Sequence, residues 1–285
     1  MKNLRSAIIS KFINAGIETQ EASIEADIII NYVTKLTRKD LLLNPDITIS
    51  SEDQVKINDL VDRRVNERIP VQYLTHKAYF MGEEFYVDEN VLIPRPETEL
   101  LVEETVKIIL ENFKNKEISL IDIGTGSGCI AIMLAKKLDN VRVTAVDVLE
   151  KALDVARNNA QQHMVDEKIS FVKSDLFKEI EDKFDVIVSN PPYIPYSEKQ
   201  SLQEEVVYHE PHLALFADDE LGLDFYNSII TRSEKYLNEG GFLAFEMGLS
   251  QSEGVKTLLE MNNYKNIPII CDYQNIERII TAQKI

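Results

Sequence analysis

Cysteine, histidine and positive charge are scarce in this chain, and each shortage closes off a class of function. Two cysteines in 285 residues, Cys129 and Cys271, lie far apart in unlike contexts. That excludes a disulfide scaffold and reads as a pair of reduced thiols in a cytoplasmic protein. Four histidines offer no metal pattern. His209 and His212 form an HxxH, but Glu210-Pro211 between them breaks any helical face, so no metal is expected. No apolar run approaches the ~18–20 residues that span a bilayer, and no membrane contact is expected. The N-terminus, MKNLRSAIISKFINAG, starts basic, but Lys11 interrupts its apolar stretch and no small-residue cleavage site follows, which argues against a signal peptide. Basic residues number 31 against 48 acidic, a formal charge of −17. Residues 1–80 hold equal numbers of each sign, so the whole imbalance falls on the remainder. A polyanion is repelled by such a surface. Nucleic acid is therefore a disfavoured partner, and a cationic ligand or basic protein a favoured one.

What is present suits a soluble globular protein of two domains: 44% hydrophobic and 28% charged residues over 285 positions. The first 76 residues nearly lack glycine and read as helical. In IEADIIINYVTKL, Ile24, Ile28, Tyr32 and Leu36 recur every four positions and predict one apolar stripe. SSEDQVKINDLVDRRVNERIP predicts a second long helix, capped by Ser50 or Ser51 and ended near Ile69 by Pro70. Residues 79–93 are aromatic and β-branched and predict a linking hairpin with its turn at Asp88-Glu89-Asn90. PRPETELLVEETVKIILEN then opens a helix on proline and acidic residues. From residue 118 strands alternate with helices: strands at 118–123, 141–146, 168–172, 184–189 and 241–247, helices near 128–138, 149–163, 222–238 and 250–262. Alternation of this kind predicts an α/β fold, a mostly parallel sheet with helices on both faces. IERIITA is expected to pair antiparallel at the end of that sheet. The expected organisation is a helical domain over 1–76, a hairpin linker over 77–95 and a catalytic domain over 96–285.

Three turns carry the first chemical signals. ISLIDIGTGSGCIAIMLAKKL is a strand, a glycine-rich turn and a helix. Gly124-Thr125-Gly126-Ser127-Gly128 lets backbone pass close to a ligand and presents N–H groups at a helix start. Its spacing differs from the G-x-G-x-x-G of dinucleotide pyrophosphate sites. The next strand ends at Asp147, where a carboxylate can accept both hydroxyls of a ribose. The third runs into Asp175, placed to accept from an adenine amino group, with Leu176 and Phe177 beside the ring.

The fourth strand delivers Asn190-Pro191-Pro192-Tyr193 to the same edge. Here the sequence resembles the class I AdoMet-dependent methyltransferases that act on planar nitrogen atoms. Two prolines remove two backbone donors and stiffen the loop. A flat –NH₂ target brings two N–H donors, so the site must offer two acceptors: the Asn190 side-chain oxygen and the Pro191 carbonyl. Tyr193 is expected to pack on the planar group. The stretch reads as an acceptor clamp.

Val91-Leu92-Ile93-Pro94-Arg95-Pro96-Glu97-Thr98-Glu99-Leu100 resembles a signature of the HemK/PrmC family, protein-(glutamine-N5) methyltransferases that modify peptide-chain release factors. The likeness extends over nearly the whole chain, through IDIGTGSGCIAI, VSNPPYIP, HEPHLALFADDELGLDFY and GGFLAFEMG. It implies a class I methyltransferase fold with a seven-stranded, mostly parallel sheet behind an N-terminal helical bundle. It implies that Gly124 to Gly128, Asp147, Asp175, Leu176 and Asn190 hold S-adenosyl-L-methionine, which leaves as S-adenosyl-L-homocysteine. It implies that Asn190, Pro191, Pro192 and Tyr193 grip a glutamine in the Gly-Gly-Gln tip of a class I release factor, and that Asn190, Pro191 and Tyr193 serve catalysis. The helical domain would help grip that factor. A monomer is expected. Some relatives carry tryptophan where this chain has Leu176, which weakens the expected adenine contact. Three other readings compete. An adenine N6-methyltransferase shares the clamp but calls for a basic groove, an NAD-dependent dehydrogenase has no use for the prolines, and a binding scaffold would show a damaged site.

Overall fold

Helices come first along the chain: α1 (Lys2–Asn14), α2 (Thr19–Thr34), α3 (Arg38–Leu43), α4 (Ser51–Asn66) and α5 (Val71–Thr75). In this computed structural model residues 2–44, 47–114 and 116–285 are described. Two units emerge, residues 1–77 with 203–209 and residues 78–202 with 210–285. The core of the first gathers Phe12 of α1, Ala22, Ala26, Ile29 and Ile30 of α2, and Ile57 and Val61 of α4. The expected α2 stripe is thus displaced: Ile24 is 61% exposed, and Leu36 lies past the helix end. A strict four-residue repeat drifts around a helix of 3.6 residues per turn. The buried face instead runs through small alanines. Ser50 caps α4 by accepting from the Asp53 N–H at 3.0 Å. The helix stops at Asn66, earlier than expected, and Pro70 begins α5.

A short helix at Glu204–His209 belongs to this first unit. Arg64, 1% exposed, ties it in. Its Nε lies 2.9 Å from a Glu25 oxygen and its Nη2 2.9 Å from Glu205, which Arg68 also reaches at 3.1 Å. His209, of the HxxH, bonds the Glu67 carbonyl.

The second unit opens with a hairpin, β1 (Ala78–Phe80) and β2 (Glu83–Phe85). Its turn is Met81-Gly82, with φ of 51° and 78°, not Asp88–Asn90. Two left-handed residues suit a two-residue hairpin turn. The Asp88 carboxylate instead accepts from the Asn90 N–H in a local turn of its own. The chain continues through α6 (Thr98–Asn112), β3 (Ile118–Ile123), α7 (Cys129–Lys137), β4 (Val141–Asp147), α8 (Glu150–Gln162), β5 (Ile169–Lys173) and β6 (Phe184–Ser189). A two-residue strand β7 (Ile194–Pro195) precedes α9, the Glu204–His209 helix, and pairs with β8 (Phe216–Ala217). Then come α10 (Asp224–Tyr236), β9 (Leu237–Glu246), α11 (Ser252–Met261), β10 (Ile269–Cys271) and β11 (Glu277–Gln283).

The main sheet runs β10-β11-β9-β6-β3-β4-β5. All neighbours are parallel except those made by β11, which is antiparallel to both β9 and β10. The C-terminal IERIITA strand therefore sits inside the edge, and β10 is the edge. Alternate residues feed two cores. Leu120, Val143, Val186, Val188 and Ala244 face α6 and α7, while Ile121, Val146, Ile187 and Leu243 face α10 and α11. Burial on both faces explains why β3 and β6 read as continuous apolar runs. From β3 the chain builds outward to β4 and β5, then returns to place β6 on the other side. That reversal is a topological switch point, where open α/β sheets bind ligands beyond their strand ends. Among the described residues no helix is long and apolar enough to cross a membrane.

Candidate active site

The ends of β3, β4, β5 and β6 surround one cavity of about 350 Å³, within the size range of small-molecule sites. After β3 the turn is latched to its neighbour, Gly124 and Thr125 each donating an N–H to the Val146 carbonyl at 2.9 Å. Gly124 and Gly126 border the cavity with positive φ, and a Cβ at either would meet nothing within 4 Å. That open side is where a ligand can approach backbone. Gly128 has a different role. A Cβ there would stand 3.0 Å from Ala156, so this glycine lets α7 pack against α8 and does not border the cavity. Thr125 and Ser127 are buried. Thr125 Oγ1 donates at 2.7 Å to Asp122, a fully buried carboxylate that the sequence reading passed over. Burial raises the Asp122 pKa to about 7. Its other oxygen, drawn toward the Ala131 amide, makes no well-formed hydrogen bond.

Asp147 ends β4 beside the turn. Its oxygens accept from Gly126 N–H at 3.0 Å and Leu149 N–H at 2.9 Å. Burial pushes its pKa up against the backbone N–H groups of Leu149, Gly126 and Val148. A carboxylate offers roughly four acceptor sites, so capacity remains for a ligand. Beyond β5, Asp175 and Leu176 border the cavity, Asp175 exposed and paired with Lys178 at 2.6 Å. Phe177 does not join them. It is buried and stacks on Tyr236 at 4.6 Å between ring centres.

Past β6, Asn190, Pro191 and Pro192 border the cavity but Tyr193 does not. The Asn190 Nδ2 group donates to Thr98 Oγ1 at 3.1 Å. Thr98 Oγ1 donates in turn to Glu246 Oε2 at 2.6 Å, and Tyr193 OH reaches Glu246 Oε1 at 3.4 Å. Glu246 is 1% exposed, and burial carries its pKa to about 7. Burial and the nearby Glu246 charge also raise that of the Tyr193 hydroxyl. Gln251 completes the support, donating to the Tyr193 carbonyl at 2.8 Å and to the Leu221 carbonyl at 2.9 Å.

Leu92, Pro211, Leu213 and Phe225 are among the apolar residues of the lining. Arg95 pairs with buried Glu210 at 2.6 Å, fastening the PRPET segment to the residues that start this wall. Thr98 and Glu246 lie within the Val91–Leu100 and GGFLAFEMG stretches, but neither stretch announces that the two pair, and Gln251 stands in no local pattern. Only the strand register, which sets Ser189 opposite Phe245, brings the Asn190 loop beside Glu246.

Comparison with known proteins identifies the family and the fold. Residues 100–221 match the family model described as methyltransferase small domain, and residues 3–75 match the PrmC N-terminal domain. The chain is 39% identical over 265 residues to the release factor glutamine methyltransferase of Chlorobaculum tepidum, covering 90% of this chain and 89% of the relative. It is 40% identical over 255 residues to the enzyme of the same name from Flavobacterium psychrophilum, covering 89% and 88%. Among solved structures, a methyltransferase from Pyrococcus furiosus is similar with a TM-score of 0.51 at 19% identity, over 82% of this chain and 99% of that one. At that identity the likeness is one of fold.

Proposed function

The chain belongs to the release factor glutamine methyltransferase family, and from that premise we propose how its own residues carry out the transfer. The enzyme methylates the side-chain amide of a release factor glutamine. S-adenosyl-L-methionine supplies a sulfonium-borne methyl group when bound, and S-adenosyl-L-homocysteine is the product. The acceptors left open in the site fit such a ligand. Asp147 borders the cavity and keeps acceptor capacity for ribose hydroxyls beyond its bonds to backbone. The Gly124–Gly128 turn would bring backbone to the ligand, Thr125 and Ser127 hold that turn, and Asp175 and Leu176, which border the cavity, would hold the adenine.

Asn190 and Pro191 receive the glutamine. Its amide nitrogen brings two N–H donors, which the Asn190 side-chain oxygen and the Pro191 carbonyl accept. Pro192 adds no competing donor, and Tyr193 backs the loop through Glu246 and Gln251. Both acceptors stabilise positive charge growing on nitrogen, the mirror image of an oxyanion hole. Holding the amide in line adds the positioning gain, roughly 7–11 kcal/mol in well-oriented cases. No strong base is required, because the proton can leave to water after transfer. The glutamine is that of a Gly-Gly-Gln tip in a class I factor. The helical unit docks the factor, and the enzyme works as a cytoplasmic monomer without nucleic acid, in keeping with the acidic charge beyond residue 80.

One observation carries this reading: Gly124, Gly126, Asp147, Asn190 and Pro191 border a single cavity at the switch point of the sheet. The test is mass spectrometry of a class I release factor incubated with the enzyme and isotopically labelled methyl donor. A labelled methyl on the Gly-Gly-Gln glutamine is expected. Label appearing only on adenine of added nucleic acid would contradict the assignment.

A further inference from the structure

We propose that Glu246, acting through Thr98, fixes which end of the Asn190 amide faces the substrate; both are positioning residues. The inference rests on the reading of Asn190 as an acceptor clamp and goes one layer behind it. An asparagine amide has nearly the same shape in either orientation, so shape alone does not select the oxygen. Hydrogen-bond polarity does. Glu246, at the end of β9, is an acceptor when ionised. Thr98 Oγ1, 2.6 Å from it, has a single proton and must give it to that carboxylate. Its lone pair is then left to accept, and the group 3.1 Å away at Asn190 has to be the –NH₂ end. Oδ1 is thereby turned out as the acceptor. With the amide reversed, –NH₂ would meet –NH₂, donor against donor.

The chain of bonds is enclosed, Thr98 being 3% and Glu246 1% exposed, so water does not substitute for either partner. Several groups face the carboxylate. Thr98 comes from α6, Tyr193 and its hydroxyl from the loop after β6, Tyr226 from α10, Arg278 from β11, Glu97 from the turn before α6, and the Cys129 thiol from the start of α7. Burial outweighs Thr98 and Arg278 and holds the carboxyl at about 7. Once protonated it can donate to Thr98. The threonine proton is then free for Asn190 Oδ1, and the amide orientation is no longer imposed. Turnover should therefore fall as pH drops through the neutral range, with cofactor affinity much less affected.

The test measures kcat on saturating intact release factor from about pH 6 to 9, with S-adenosyl-L-methionine affinity by calorimetry. Thr98→Val keeps the volume and removes the hydroxyl. Its kcat should fall roughly ten- to hundred-fold, the size of a hydrogen bond to a charged group, with cofactor affinity retained. Thr98→Ser restores the hydroxyl and should recover most of the rate. Glu246→Gln, which does not titrate, should lower kcat at high pH and abolish the fall toward acid. Wild-type kcat in Thr98→Val, or an unchanged acidic limb in Glu246→Gln, overturns the proposal. Should Thr98→Val fail to fold, seen as lost cofactor binding, the Glu246→Gln profile decides. Asn190→Ala separates the layers. If it is severely impaired while the other variants are normal, the clamp stands and the relay is wrong; if it too is normal, the clamp reading itself fails.

Discussion

Asp147 borders the cavity and accepts from the Gly126 and Leu149 amides, and on the proposed function its remaining acceptor capacity serves the ribose. Asp147→Ala is therefore expected to weaken S-adenosyl-L-methionine binding about 10- to 150-fold, the loss of roughly 1.5–3 kcal/mol for a charged acceptor. Unchanged affinity by calorimetry would remove the ribose assignment. Asp122 and Glu246 give the same site a pH signature. Both are held near 7 by burial, above their ordinary 3.8 and 4.5. Through that interval the folded chain binds more protons than the unfolded one, so stability falls as pH rises toward neutrality. His163 opposes this only below its usual 6.5, because burial lowers its pKa. The melting temperature should accordingly be higher near pH ~6.5 than near pH ~8, and Glu246→Gln should narrow the gap. A melting temperature that climbs over the same interval would contradict these environments. Asn190 and Asp147 were legible because each follows a strand inside a short pattern whose chemistry is local. The pairing of Thr98 with Glu246 was not, because it spans 148 positions and depends on sheet register.

At the scale of elements, the β7–β8 region meets the start of α11 around one backbone group. Gly222 has a φ of 70°, and a Cβ there would lie 2.0 Å from the Tyr193 carbonyl oxygen and 2.4 Å from Gln251 Nε2. Backbone cannot yield as a flexible side chain would. Gly222→Ala is expected to destabilise the fold by about 1–3 kcal/mol and to lower kcat more than cofactor affinity. A normal melting temperature with full activity would show that this packing is not needed. The alternating strands and helices from residue 118 onward were readable because their apolar runs are bounded by turns and buried on both faces. The hairpin turn was misplaced because Met81-Gly82 lacks the Asn-Gly or Asp-Gly signature, whereas Asp88–Asn90 has turn-forming residues used for a different turn. The α2 face was misread because Ala22 and Ala26 carry its contacts without weighing as apolar anchors.

Across the whole molecule, one segment folds with residues distant in sequence. In sequence the α9 helix falls between the clamp and Pro211, yet it belongs with residues 1–77. Nothing in EEVVYH marks it for that unit; its partner Arg64 stands 141 positions earlier. Burial raises the Glu25 pKa, while Glu205 is kept low despite its burial by its own backbone N–H and by Arg64 and Arg68. Arg64→Ala would leave both carboxylates short of a partner and should cost about 3–5 kcal/mol. Chemical denaturation followed by helical signal checks this, and an unchanged transition would mean the cluster is merely neutral. The acidic surplus beyond residue 80 belongs to the same scale and was readable from composition alone.

The central claim is that Asn190 presents an acceptor to the target amide. Its most direct test is steady-state methylation of intact release factor by Asn190→Ala, with S-adenosyl-L-methionine affinity measured alongside. Removing one fixed acceptor where charge develops should lower kcat by ~10²–10³, as removing an oxyanion-hole donor does, and leave cofactor affinity within a few-fold. An Asn190→Ala enzyme that loses cofactor binding and stability together, yet keeps its kcat at saturating cofactor, would show that the residue only supports the loop and that the clamp mechanism is wrong.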